Sequence, residues 1–234
     1  MNISANTLFH FTSSLINIES ILDNKFQISY CRETFNLDGM ESGDFFFPMI
    51  CFCDIPLASA KDHIDKYGNY GIGMTKEWGI KNRLNPVLYV EKQSNVSKII
   101  KKQVFDSDKI LHLIEKVAEV NSELAKPFIE PFKGSINNNT DLLRYIKNYQ
   151  GDLIRAENTY SDYRFYDERE WRFVPDFSRT KPKWNLTKEE YNAYRGTGTS
   201  KPLIDDPKLS FNSEDIRHLI VKQDSDIPKL IRKN

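Results

Sequence analysis

Two carboxylates at an interval of two, Glu168 and Glu170, stand in the stretch YDEREWRF, residues 166–173. In a β-strand, Glu168, Glu170 and Arg172 would share one face, and Arg169, Trp171 and Phe173 the other, where the two rings could enter a core. Neighbouring carboxylates repel, which raises at least one pKa unless a cation helps. Such a pair suits acid–base work or the stabilisation of developing positive charge. Arg172 is the cation at hand, with Arg32 and Arg155 elsewhere in the chain. The competing reading is a solvated strand edge with alternating charges, a common device against edge pairing. On this segment alone the edge reading ranks first.

A second candidate sits in TLFHFTSS, residues 7–14, where His10 stands between Phe9 and Phe11. A single strand histidine is more often packed than catalytic. The third is YGNYGIG, residues 67–73. Tyr67 and Tyr70 offer flat faces for a planar ring, but the stretch follows a helical pattern and so lacks the context of a dinucleotide loop. No P-loop, nucleophile elbow or H-E-x-x-H is present. Cys31, Cys51 and Cys53 are the only cysteines, and a reduced cytoplasmic setting is expected. Cys51 and Cys53 should share a strand face. His10 and His63 could complete a zinc set, but the usual ligand spacing is missing, so no metal is expected.

The elements that must position these residues read as follows. Residues 7–12 form a strand. TSSLINIESILDNKF is a helix capped by Thr12, Ser13 or Ser14, with Leu15, Ile18, Ile21 and Leu22 on one face. QISY is a short extended piece, CRETFNLDGMESGDFFF a loop, and PMICFCDIP a strand closed by Pro56. LASAKDHIDKYGNY is a helix stopped by Gly68. YGIGMTKEWGIKN holds a strand and then a turn, and NPVLYVEK another strand. Residues 95–150 are helical, with Ile110, Leu111, Ile114, Val117 and Leu124 as a buried stripe and GSINNNTD as a polar turn. YRFYDEREWRFVP is a strand, residues 181–211 a polar excursion, DIRHLIVK a strand and SDIPKLIRKN a short helix. Strands and helices do not alternate regularly enough for a doubly wound parallel sheet. The order predicts α+β, mainly antiparallel, as one domain over 1–234 with a helical insertion at about 95–150.

The 234 residues carry 33 basic and 33 acidic side chains, 39% hydrophobic and 12% aromatic content. Such a chain can bury a core and is not disordered. Zero net charge excludes a protein that coats nucleic acid through its global field. A nucleic-acid partner would need a local patch, such as KIIKK at 98–102. No membrane span and no leader are expected.

A strand histidine with a capped helix, an apolar strand leading to a helix and a Tyr-Gly turn, and a strand glutamate in an E-x-E setting occur in that order. This order resembles the ADP-ribosyltransferase superfamily, whose H-Y-E sites use a strand His, an aromatic and a strand Glu. LFHFTSSL, MICFCDIPL, YGNYGIGMTKEWGIKN, NPVLYV and EREWRF resemble more closely the AbiGi abortive-infection family of phage defence, which carries an antitoxin label. The superfamily resemblance implies a split-sheet ADP-ribosyltransferase-like fold and NAD as substrate. It implies Glu170 as the catalytic carboxylate on the nicotinamide-side ribose and Glu168 facing the acceptor. His10 would hold a ribose hydroxyl and the backbone at Phe11 the nicotinamide amide, with Thr12 in the same set. Arg32 would meet the pyrophosphate. Tyr67 or Tyr70 would stack on the nicotinamide, while Cys51 or Phe52 occupies the place of a strand tyrosine. Two classes of function follow. One is an ADP-ribosyltransferase effector acting on RNA, DNA or protein, or an NAD hydrolase. The other is a non-catalytic antitoxin or binding module with a toxin partner.

Overall fold

The computed structural model describes residues 5–41, 44–155, 158–176, 183, 185–196 and 203–231. The chain divides into two compact units, one of residues 1–33, 44–87 and 150–234, the other of residues 34–43 and 88–149.

In chain order the elements are β1 (Thr7–Thr12), α1 (Leu15–Asn24), β2 (Phe26–Glu33), β3 (Asn36–Leu37), β4 (Met40–Glu41) and β5 (Phe45–Cys53). Next come α2 (Lys61–Tyr67), β6 (Tyr70–Thr75), α3 (Lys76–Lys81), β7 (Asn85–Pro86) and β8 (Leu88–Val90). Then follow α4 (Asn95–Val120), α5 (Ser122–Leu143), β9 (Ile146–Asn148), β10 (Gly151–Arg155), β11 (Asn158–Tyr163) and β12 (Glu170–Phe173). The chain closes with α6 (Lys188–Gly196), β13 (Leu203–Leu209), β14 (Ile216–Ile220) and α7 (Ile227–Ile231). The fold is α+β.

The first unit is built on an eight-stranded sheet whose pairings are antiparallel, ordered β13-β2-β5-β1-β6-β14, with β12 against β5 and β7 against β12. β5 is the pivot. Its residues 45–49 pair with β2 and its residues 50–53 with β12. β1 meets it at Phe9↔Cys53. α1 starts where the Ser14 side chain accepts from the Asn17 amide, so Ser14 is the cap. Its Ile18 is fully buried, with Leu15, Ile21 and Leu22 packed beside it. That helix covers a core of Leu8, Phe26, Ile28, Phe52, Ile72, Met74 and Trp78. Each such side chain contributes roughly 1.5–3 kcal/mol by leaving water. A smaller cluster of Phe9, Cys53, Ile55 and Ala60, with Phe11, Ile64 and Ile220, packs on the opposite face.

Several expectations are corrected. The piece QISY belongs to the eight-residue β2, and the expected loop already contains the start of β5. KEWGIK is α3, not a turn, because Thr75 caps it by accepting from the Trp78 amide. The polar excursion carries α6 and β13.

The second unit contains a parallel β8–β9 pair, the β3–β4 ribbon and the α4–α5 hairpin. Asn121 ends α4 and caps α5, its side chain accepting from the Leu124 amide. GSINNNTD, expected as a turn, runs inside α5, and Ile146–Asn148 is strand rather than helix. Local propensity is a weak prior that tertiary context overrides. Ile110 and Leu124, expected in a buried stripe, are exposed, while Leu111, Ile114 and Val117 are half-buried.

Candidate functional site

The register of three neighbouring strands decides what the candidate residues can do together. Phe9 of β1 lies opposite Cys53 of β5, and Cys53 lies opposite Glu170 of β12. Directly opposed residues share a face, so Phe9, Cys53 and Glu170 project to one side. His10, one residue on, projects to the other side, with Ile72 and Phe52. The strands of His10 and Glu170 are two strand spacings apart, about 10 Å. The two side chains nevertheless leave the sheet in opposite directions.

His10 is half-buried among aromatic rings. Phe26 meets it edge-on at 5.5 Å between centroids, and Phe52 lies at 5.6 Å. Its Nδ1 is 2.8 Å from the Cys51 carbonyl oxygen. A carbonyl only accepts, so Nδ1 carries the proton and donates. Phe52 is core, packed on Phe26 and Trp78 as well, and presents no face to a ligand. The Thr12 hydroxyl accepts from the Asn17 side-chain amide at 2.6 Å.

Glu170 is buried in an ion-pair network. Arg172, fully buried, donates through Nε to Glu170 at 2.6 Å and through Nη2 to Glu33, the last residue of β2, at 2.6 Å. Burial by itself would pull the guanidinium pKa down. The Glu170 and Glu33 carboxylates outweigh it and hold the pKa well above its usual value. The expectation of a solvated edge is thus reversed. The Glu170–Arg172 side is more buried than the Trp171–Phe173 side, which packs half-buried on the core. Arg32, the expected pyrophosphate partner, is largely exposed and pairs with Asp44 at 2.7 Å. The side chain of Arg155 lies outside the described residues.

Glu168 is not the i−2 strand neighbour of Glu170. It ends a 3-10 turn over Phe165–Glu168, and Arg169 then adopts a left-handed φ of 46° before β12 begins. Glu168 is buried and accepts a hydrogen bond from the Tyr67 hydroxyl. Tyr67 stacks on His63 at 4.1 Å, and His63 meets Phe11 at 5.2 Å. This run of contacts brings together Phe11, Tyr67 and Glu168, of the residues singled out in the sequence, and adds His63. Tyr70 is elsewhere engaged. Its hydroxyl donates to Asp226 at 3.0 Å, which together with burial raises its pKa.

The Cys51 and Cys53 thiols are kept protonated. The Cys51 pKa is raised by a hydrogen bond with Cys31, by burial and by the charge of Glu170. Burial first, then Glu168 and Glu170, push Cys53 up. Among the described residues no three His, Cys, Asp or Glu side chains form a group that could hold a metal. The residues implied for NAD do not form one cradle. His10 and Phe52 line the core face, Arg32 and Tyr70 are tied elsewhere, and Glu170 serves Arg172. Sequence reasoning missed Glu33, whose role depends on a partner 139 positions away. It also missed Asp226 and the Asp54–Lys76 pair at 2.8 Å.

The fold defines an α+β protein with an eight-stranded antiparallel sheet and a buried Glu–Arg–Glu network at its pivot. Residues 24–222 match the family model described as "Putative abortive phage resistance protein AbiGi, antitoxin", and the chain belongs to that AbiGi family of abortive phage resistance. It is similar to the abortive phage resistance protein AbiGi of Lactococcus lactis subsp. cremoris, with 25% identity over 202 residues, covering 80% of this chain and 76% of that protein. No solved structure gives a significant match. No helix among the described residues is long and apolar enough to cross a membrane.

Proposed function

We propose that this chain acts in abortive phage defence as a non-catalytic antitoxin that binds and restrains a toxin protein. One observation carries the reading. The β1–β5–β12 register sends His10 and Glu170 to opposite faces, and each is consumed by an internal partner. A site for bond cleavage needs its groups convergent and held for the transition state. A binding scaffold needs only that the sheet be stable. The antitoxin description of the family agrees with it.

A second reading, ADP-ribosyl transfer from NAD to RNA, DNA or protein, or NAD hydrolysis with no macromolecular acceptor, is favoured by the contact run Phe11–His63–Tyr67–Glu168. One experiment separates them. The chain is expressed alone in bacteria, NAD is measured, and lysate RNA, DNA and protein are probed with labelled NAD. Normal growth, constant NAD and no label are the expected outcome, together with rescue of cells from a toxin encoded beside it. Label or NAD loss that disappears in Glu168→Gln or Glu170→Gln would overturn the antitoxin reading in favour of the enzyme.

A further inference from the structure

The second unit exposes an apolar stripe. Along the 26-residue α4, Val96, Ile99, Gln103, Asp106, Ile110, Leu113, Val117 and Val120 alternate by three and four, the seven-residue pattern of a coiled-coil seam, apolar at both ends and interrupted in the middle by Gln103 and Asp106. Ile99 is 64% exposed, Leu113 61% and Val120 89%, with Val96 and Ile110 also exposed. The inward side of the helix is different: Ser97 and Ile100 are buried, and Ser107, Leu111 and Ile114 half-buried. Val117 is half-buried at the border, and the exposed members of the stripe lie beside the packed face. The stripe's longer apolar run, Ile110 to Val120, spans roughly 15 Å at the helical rise.

The charges flanking the stripe narrow its occupant. Lys102, Lys109 and Lys116 recur at seven-residue spacing on its outer border, and each is exposed. An antiparallel second copy would set these lysines against their own counterparts. A parallel copy would set them against Ile100, Ser107 and Ile114, which bring no charge. Self-pairing is thus repelled or unsupported. The lysines do not form a phosphate-binding patch either. They border a seam that is mostly aliphatic and itself includes Asp106, Lys101 is turned to Asp38, and Glu115 and Glu119 stand on the same helix.

We propose that this face of α4 docks an amphipathic helix of a partner protein, with aliphatic residues in its seam and carboxylates facing Lys102, Lys109 and Lys116. The inference rests on the antitoxin reading, since it names the contact that the restrained partner makes.

The test uses the full chain and a designed 28-residue helix with Leu at its seam positions and Glu on both flanks. A second probe has Lys in place of Glu. The Glu probe is expected to bind, and the Lys probe at least tenfold more weakly. The triple change Lys102→Glu, Lys109→Glu, Lys116→Glu should reverse that preference, and Leu113→Asp should weaken the Glu probe about tenfold, with the circular dichroism melt of either variant unchanged. Equal affinity for both probes, or binding of neither, would overturn the proposal. So would concentration-dependent self-association lost in Leu113→Asp, or binding to anionic vesicles in preference to the Glu probe. Failure here with toxin rescue intact sinks only this surface. Loss of rescue in the wild-type chain sinks the antitoxin reading.

Discussion

Arg172→Ala tests whether the carboxylates at the pivot hold the fold or do chemistry. Side-chain exposure is 0% for Arg172, 5% for Glu170 and 11% for Glu33. Removing the cation leaves two carboxylates facing each other in a poorly solvated space. Breaking a buried pair this way costs about 3–5 kcal/mol, because an uncompensated charge remains. For a chain of this size each kcal/mol moves the melting temperature by about 2–4 °C, so a drop of roughly 6–20 °C is expected. Glu170→Gln keeps an acceptor for Arg172 and removes one charge, a milder loss of about 1–3 kcal/mol. The triple variant Glu33→Gln, Glu170→Gln, Arg172→Met removes these three charges together and should recover most of the loss. Urea unfolding followed by tryptophan fluorescence reads all three, since Trp171 lies within the same strand. Two results would refute the reasoning. One is an Arg172→Ala cost below about 1 kcal/mol, outside the range for a buried network. The other is a Glu170→Gln protein of full stability that no longer protects against phage, which would assign Glu170 to chemistry.

Gly68 ends α2 at φ +123°, and a Cβ there would lie 2.1 Å from the Thr12 carbonyl oxygen. Gly68→Ala should cost more than about 2 kcal/mol through strain and clash, displace Tyr67 from Glu168, and show as a lower thermal midpoint. The Asp226 carboxyl is held below its usual range by hydrogen bonds from Lys229 and from Tyr70. Its contribution to stability is complete above the unfolded value of about 3.9 and is lost as pH falls through the lower folded value. The stability gap between wild type and Asp226→Asn should therefore shrink as pH falls below about 4, as measured by denaturant midpoints over that descent.

Strands β1, β5, β6, β8 and β14, the first helix and the α+β class were legible because their signals are local: period-two alternation in TLFHFT and MICFCD, a cap among Thr12, Ser13 and Ser14, and an apolar face at Leu15, Ile18, Ile21 and Leu22. The partnerships were not legible. Arg172–Glu33 and Tyr70–Asp226 each close a loop of more than a hundred residues, and no local pattern reports them. The E-x-E reading failed at a single dihedral. Spacing of two implies one face only while the backbone stays extended, and Arg169 turns left-handed between the two glutamates. The helical stripe failed in a different way. Heptad spacing identifies a seam, and both sides of α4 carry apolar residues at usable intervals. Only tertiary packing selects which side is buried, and it selected the side of Ile100, Leu111 and Ile114 over that of Ile99, Ile110 and Leu113.

The placement of His10 between two phenylalanines has a steric explanation in the strand it pairs with. β6 reads YGIGMT, and its Gly71 and Gly73 lie opposite Phe11 and Phe9. A Cβ on Gly73 would come within 2.8 Å of the Phe9 ring, and one on Gly71 within 3.0 Å of the Phe11 ring. The two rings occupy the space the glycines leave open, and His10 falls opposite Ile72. A slip of one residue would bring His10 round to the face of Glu170. It would also drive Phe9 or Phe11 onto Ile72 and expel the fully buried Leu8 from the core. The F-H-F and G-I-G patterns thus lock the register that separates the imidazole from the carboxylate. Separation of the two groups is built into complementary sequence on β1 and β6.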